Sequence, residues 1–326
     1  MSSQALNRRK IATNNKEPQT VTNSDRQHVV NDRTRSGSLI KQMMSRIALT
    51  VTILVVVYYI TGTDDHKELV MASASESIPG SPKGQQVICS NDYNEDRQRF
   101  GSCAPKLCGR FVSDAVVTES EAKHLLSVAK KGLSLGGSSG SASILDLHSG
   151  ALSMDTNFVN IYKLMKKMSK EDIFTDKDFE IYRTVKNKIL QTIAIHFGIS
   201  GQHLFLTDPT FFSRLTSEAA KTKHDEYWHK HIDKNTYKSF HFTSLVYLST
   251  YGRDFTGGRF VFIDKTIQKN ITIEPKLGRL SAFTSGSENE HYVERVTSGT
   301  RFAITVSFTC DPKYAISDPM IATNNI

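Results

Sequence analysis

His224-Asp225-Glu226-Tyr227-Trp228-His229-Lys230-His231-Ile232-Asp233 is the densest run of metal-competent side chains in a sequence of 326 residues. In an extended strand residues two apart point the same way, so His231 and Asp233 share one face, and His229 with them. An imidazole beside a carboxylate supplies two of the three ligands of a 2-His-1-carboxylate facial site, which leaves coordination positions free on iron(II). The third must come from elsewhere. Some 58 residues after Asp233 the chain reads Glu290-His291-Tyr292-Val293-Glu294-Arg295-Val296-Thr297-Ser298-Gly299-Thr300-Arg301. This spacing puts His291 near the start of one strand and Arg301 at the start of the next, past a Ser298-Gly299 turn. A hairpin there brings Arg301 beside the metal, about one strand over. A guanidinium so placed can grip a carboxylate with two charge-assisted bonds.

A lone His-x-Asp occurs by chance in many chains; the added His, the basic residue and the intervening pattern make the signal specific. Short β-rich runs are expected at 204–206, 240–248, 258–263, 271–273, 280–283, 290–296 and 302–308. They are broken at Asp208-Pro209, Gly252, Gly257-Gly258, Glu274-Pro275 and Ser298-Gly299. Upstream, Thr118-Glu119-Ser120-Glu121 is a capping-box pattern opening a helix to about Lys131. Residues 176–198 space Phe179, Tyr182, Val185, Ile189, Ile193 and Phe197 along one helical face, suited to packing on a sheet. Helices first and strands after fit an α+β order, and the strands lie too close together for βαβ crossovers.

With these residues, Tyr247-Leu248, Gly257-Gly258-Arg259-Phe260-Val261-Phe262 and Glu274-Pro275-Lys276-Leu277-Gly278-Arg279-Leu280-Ser281-Ala282-Phe283, the chain resembles the prolyl 4-hydroxylase-like branch of the Fe(II)- and 2-oxoglutarate-dependent oxygenases. The resemblance covers about 200–310 well and 111–200 loosely. It implies a double-stranded β-helix, a distorted jelly roll with supporting helices. It also implies Fe(II) on His231, Asp233 and His291 as catalytic metal ligands, and 2-oxoglutarate gripped at its far carboxylate by Arg301 with help from the Tyr247 hydroxyl. Ascorbate is a further candidate reductant. The implied reaction decarboxylates the co-substrate to succinate and attacks a C–H bond of a prolyl or lysyl side chain. Collagen-type members of the branch usually carry Lys where this sequence has Arg301.

Outside that region the chain reads as anchored. Residues 1–46 hold nine Lys/Arg against three acids, which is most of the net charge of +8. The remainder is nearly neutral, so no nucleic-acid partner is expected. Residues 1–46 form a disordered basic cytosolic tail in this reading, and 47–63 a single transmembrane signal anchor without a charge. Arg46 before it and Asp64-Asp65 after it orient the C-terminal part outward, a type II topology with a luminal catalytic domain in the endoplasmic reticulum or Golgi. Residues 64–110 read as a luminal stalk or linker, 111–316 as the oxygenase domain and 317–326 as a C-terminal tail. Cys89, Cys103, Cys108 and Cys310 all lie on the luminal side, with three pairings open. Asn270-Ile271-Thr272 is a glycosylation acceptor there. The partners expected are a protein or peptide substrate of the secretory pathway and the membrane.

Plainer readings stand beside these. His229 serves as a surface residue or an alternative ligand, and His224 faces solvent. Trp228 packs on the core or lines a groove. Tyr247 is equally a core tyrosine. Phe211-Phe212 belongs to the core with no site role, Lys163–Lys170 is a solvated helix face, and Gly136–Ser141 is a flexible loop. Two other functions compete. One is a Golgi-type glycosyltransferase using Asp176-Lys177-Asp178 for a divalent metal. The other is a non-catalytic jelly-roll binding module with a structural metal on His229, His231, Asp233 and His291.

Overall fold

The structure, a computed structural model, describes residues 24–61, 68–170 and 172–319, with helix side chains in the first segment over 40–58. What was expected of 1–23, 62–67 and 320–326 lies outside the described residues. The chain divides into two units, Met1–Asp64 and Asp65–Ile326. In the first, α1 (Ser24–Thr61) contains one window, Ile40–Tyr58, that is long and apolar enough to cross a membrane, with mean hydropathy 1.6. The helix starts inside the tail expected to be disordered. Residues 24–46 have no proline and one glycine to interrupt the helix.

In the second unit come β1 (Glu68–Ala72), β2 (Lys83–Val87), α2 (Asn94–Arg99), β3 (Cys108–Ser113) and α3 (Glu119–Leu133). Then follow β4 (Ala142–Leu145), β5 (Ala151–Met154), β6 (Asn157–Asn160), α4 (Ile161–Lys167), α5 (Asp176–Phe197) and β7 (Phe205–Thr216). The last part is α6 (Asp233–Thr236), β8 (Phe242–Tyr247), β9 (Phe255–Gly257), β10 (Phe260–Asp264), β11 (Lys269–Ile273), β12 (Leu280–Thr284), β13 (His291–Val293) and β14 (Val296–Thr309).

Two sheets result. The smaller runs β1-β11-β10-β13; the larger runs β2-β3-β12-β8-β14-β7-β4-β5-β6, with β9 joined to β14. Met71, Leu245, Phe260, Phe262, Ile271 and Phe283 fill the space between the sheets. On the other face of the larger sheet, Leu125, Val128, Ile189, Ile193, Phe212, Val246 and Phe308 bury the apolar stripes of α3 and α5. A sheet pair backed by helices is the expected α+β distorted jelly roll.

Both long helices start as their sequences dictate. Thr118 and Glu121 form a reciprocal capping box for α3, Thr175 and Asp178 one for α5, and Gly198 ends α5 at φ 63°. Asp178 also accepts from Lys131 Nζ at 3.1 Å and contacts His124 Nε2 at 2.8 Å, welding α5 to α3. The Asp-x-Asp pair of the glycosyltransferase reading is thus half spent on a helix cap.

Several expectations are corrected. Of the segment 64–110 expected to be a stalk, the described residues 68–110 are folded into the domain: β1 pairs in parallel with β11, β2 pairs with β3, and Met71, Ala72 and Ile78 are core residues. Strands this short have no period of their own; partner strands and two disulfides, Cys89–Cys108 and Cys103–Cys310, define them. The tail's first residues also dock, since Ser317 O accepts from His148 and Asp318 pairs with Lys186. Gly136–Ser141 is pinned rather than loose, with Ser138 Oγ donating to buried Asp225 and Gly137 N to Ser153 O. Ser298-Gly299 is not a hairpin turn. It lies inside β14, where Gly299 adopts φ 74° as the strand changes partner from β9 to β7. His231 to Asp233 is not one strand either: His231 makes a single bridge to His291, and Asp233 opens α6.

Burial would raise the Asp178 carboxyl, but its bonds from Thr175 and Lys131 outweigh that and hold it below its ordinary 3.8. A depressed native pKa gives stability that is full above about pH 4 and is lost as pH falls through the native value. Asp178→Asn should therefore lower stability by about 1 kcal/mol at pH 7. Its difference from the native protein should close as pH drops below about 4, read by denaturant unfolding across pH.

Candidate active site

His231 and His291 are 60 positions apart, yet their backbones form an antiparallel pair. His231 N donates to His291 O at 2.9 Å and His291 N to His231 O at 3.0 Å. This bridge continues the smaller sheet beyond β13 and sets the two imidazoles side by side, ring centroids 4.3 Å apart. Each ring is oriented by a carbonyl two residues earlier. His231 Nδ1 donates to His229 O and His291 Nδ1 to Asn289 O, both at 2.9 Å. That tautomer frees both Nε2 lone pairs. They approach Asp233 Oδ1 at 3.6 and 3.7 Å.

The other Asp233 oxygen, Oδ2, is taken by the Thr243 hydroxyl of β8 at 2.6 Å, which also touches Ser285 Oγ at 2.9 Å. The carboxylate is thereby turned so that one oxygen faces the imidazoles. His291 is boxed by Phe260, stacked at 5.0 Å, and Phe283 at 4.9 Å. Burial pulls its pKa down to about 4, against the nearby Asp233 charge, so the imidazole is neutral and able to ligate at physiological pH. Ligand atoms of His231, Asp233 and His291 lie within 4.8 Å of one another, and no other such group of three or more occurs among the described residues.

His229 stays outside. Its side chain is 66% exposed and bonded to Glu226 at 2.7 Å. With three protein ligands and not four, the cluster lacks the closed tetrahedron of a structural zinc site and has the open facial set suited to iron(II).

A cavity of about 390 Å³ connects this cluster to Arg301. Arg301 is buried, donates Nε–H to Gly258 O at 2.9 Å, and leaves Nη2 without a partner. Gly258, at φ 64°, gives the guanidinium stem its room: a Cβ there would sit 3.1 Å from Arg301 Cδ. Burial lowers the Arg301 pKa, with the Tyr247 and Tyr227 phenols as the electrostatic neighbours and no carboxylate among them. Tyr247 lies in the inter-sheet core, its ring centroid 5.4 Å from the Arg301 carbon and its hydroxyl buried without a partner. Burial pushes that hydroxyl up to about 12, so it is a donor. A buried guanidinium without an acid is costly, and a ligand carboxylate in the cavity that Arg301 lines would supply the missing charge. Tyr247 lies behind Arg301 and does not itself line that cavity.

Reading the sequence alone missed several wall residues. Phe212 is core as expected, but strand alternation turns Phe211 into the cavity. Tyr227 also lines it and accepts from Val296 N at 2.8 Å, and Thr243 had no motif to betray it. Trp228 is half-buried beneath the Arg295 guanidinium, 3.7 Å from the ring centroid. His224 is exposed at the cavity edge, and Lys163, Lys166, Lys167 and Lys170 are solvated.

Residues 217–309 match the 2OG-Fe(II) oxygenase superfamily. The chain is 55% identical over 265 residues to 2-oxoglutarate and iron-dependent oxygenase domain-containing protein 3 of Xenopus tropicalis, covering 80% of this chain and 82% of that one. This chain belongs to the 2OG-Fe(II) oxygenase superfamily. The human protein of that name is 54% identical over 258 residues, 79% of each chain. Prolyl 3-hydroxylase 2 of Gallus gallus is 42% identical over 76 residues, 22% of this chain and 10% of that one. Membership makes the protein an oxygenase using Fe(II) and 2-oxoglutarate, and the His-Asp-His cluster is its candidate metal site.

Removing the hydroxyl that orients Asp233 should weaken the metal site without removing a ligand. Thr243→Val is expected to lower Fe(II) affinity by about 10- to 100-fold, measured by anaerobic calorimetric titration.

Proposed function

We propose that this chain is a type II membrane-anchored dioxygenase that hydroxylates a protein side chain in the secretory pathway, its catalytic domain luminal. His231, Asp233 and His291 hold Fe(II); Arg301, with Tyr247 behind it, holds the far carboxylate of 2-oxoglutarate. The observation that carries this is the buried, acid-free Arg301 in one cavity with an open three-ligand cluster. Bound iron and co-substrate supply the oxidation, in which 2-oxoglutarate is decarboxylated to succinate and an oxygen atom enters a substrate C–H bond. The chain supplies fixed imidazole tautomers, an oriented carboxylate, a cation for the co-substrate and walls that exclude water.

Prolyl is favoured over lysyl as the target. The cavity wall is built by Ile144, Pro209, Phe211, Leu215, Tyr237 and Val293, and its carboxylates are Asp233 and the His229-bonded Glu226. No free acid is left there to meet an ammonium. The likeness to prolyl 3-hydroxylase 2 supports the same choice. Anchoring is supported by the apolar window of α1, with Arg46 before its core and Asp64-Asp65 after it. An oxidising compartment is supported by the pairing of all four cysteines.

In the detergent-solubilised full chain with anaerobic Fe(II), titrating 2-oxoglutarate should raise the weak visible charge-transfer band of chelation. His231→Ala should abolish the band, and Arg301→Ala should shift its half-saturation upward at least about tenfold. A folded native chain that shows no band would overturn the reading. Luminal placement predicts a glycan on Asn270, half-buried in β11, so Asn270→Gln should remove an endoglycosidase-sensitive mass shift in cells. A native chain carrying no glycan there would count against that topology.

A further inference from the structure

Asp233 stands on α6, a single turn of four residues, too short to hold itself in water. Its neighbour Lys234 points away from the metal cluster into the protein and is 8% exposed. A buried ammonium is tolerated only when its three donors are met, and here they are. Lys234 Nζ donates to Asp96 Oδ2 at 2.6 Å, Lys238 O at 3.1 Å and Phe240 O at 3.2 Å. The ammonium also lies 5.2 Å from the centroid of the buried Tyr93 ring.

We propose that Lys234 is a positioning residue of the metal site, its ammonium anchoring the turn that presents Asp233 to the acidic clamp on α2. The anchor grips from both sides of the turn. Lys234 N donates to Ser285 O at 2.9 Å, and the two carbonyls that accept from Nζ belong to the chain leaving α6. Asp96 is itself immobilised. His241 Nε2 sits 3.2 Å from the same Oδ2, and His241 Nδ1 lies 2.9 Å from Ser239 O and 3.1 Å from the backbone N of disulfide-bonded Cys310. Burial would raise the Asp96 carboxyl, yet His241 and Lys234 together hold it down at about 2, so it is charged across the physiological range. A continuous set of contacts thus runs from the Cys103–Cys310 disulfide through His241, Asp96 and Lys234 to the Asp233 backbone.

This rests on the reading that His231, Asp233 and His291 bind the iron. The test is anaerobic titration of Fe(II) alone into the detergent-solubilised full chain, with thermal unfolding recorded for every variant. Lys234→Met and Asp96→Asn should each weaken Fe(II) by about tenfold or more while still unfolding cooperatively. The double variant should be little worse than either single, since both act through one contact. Asp114→Asn breaks another buried pair, with Arg279 at 2.8 Å; it should lose stability with unchanged Fe(II) affinity. If Asp114→Asn weakens iron equally, the loss is only general destabilisation and the proposal is overturned. A folded Lys234→Met that binds Fe(II) like the native chain, while His231→Ala does not, overturns the positioning role and leaves the metal site standing. If His231→Ala binds as tightly as the native chain, the metal-site reading falls and this inference with it. Should Lys234→Met fail to fold, Asp96→Asn carries the test, and native affinity there overturns the proposal.

Discussion

The backbone bridge between His231 and His291 is the constraint on which the site depends. Two hydrogen bonds of about 3 Å do what 60 residues of intervening chain cannot, placing two imidazoles at ligand distance from one carboxylate oxygen. Because the pair extends the smaller sheet while Asp233 is tied to Thr243 in the larger one, the cluster exists only where the two sheets are held together. The aromatic packing of Phe260, Phe262 and Phe283 between them is therefore also what holds the ligand geometry.

A second constraint is electrostatic. Arg301 is buried with one bonded nitrogen and no acid, an arrangement that a folded chain tolerates poorly unless something supplies the missing charge. It lines the same cavity as the metal cluster, and in the proposed reading a dicarboxylate co-substrate supplies that charge. Gly258 contributes by having no side chain to push the guanidinium aside, and its carbonyl fixes the direction in which Arg301 points.

The segment between the apolar helix and β3 turns from spacer into structure. β1 and β2 complete the two sheets, both disulfides tie it down, and Asp96 reaches the turn that follows the metal ligands. Its sequence is polar and aperiodic, so its contribution is invisible until partner strands are present.

From the sequence alone, the family and its chemistry were legible. His231, Asp233, His291 and Arg301 stand in an order and spacing that chance rarely produces, and the helical stripe of 176–198 and the capping box at Thr118 need only local rules. Local rules failed where a residue's conformation is chosen by something distant. Ser298-Gly299 reads as a turn, but β9 and β7 hold it in one long strand. His231 and Asp233 read as one strand, but the bridge to His291 and the anchor at Asp96 bend the chain between them. The disulfide pairing, the Thr243 bond to Asp233, the inward turn of Phe211 and the burial of Lys234 were likewise decided only by tertiary structure. Each depends on which atoms meet across long stretches of chain, and neither composition nor periodicity carries that information.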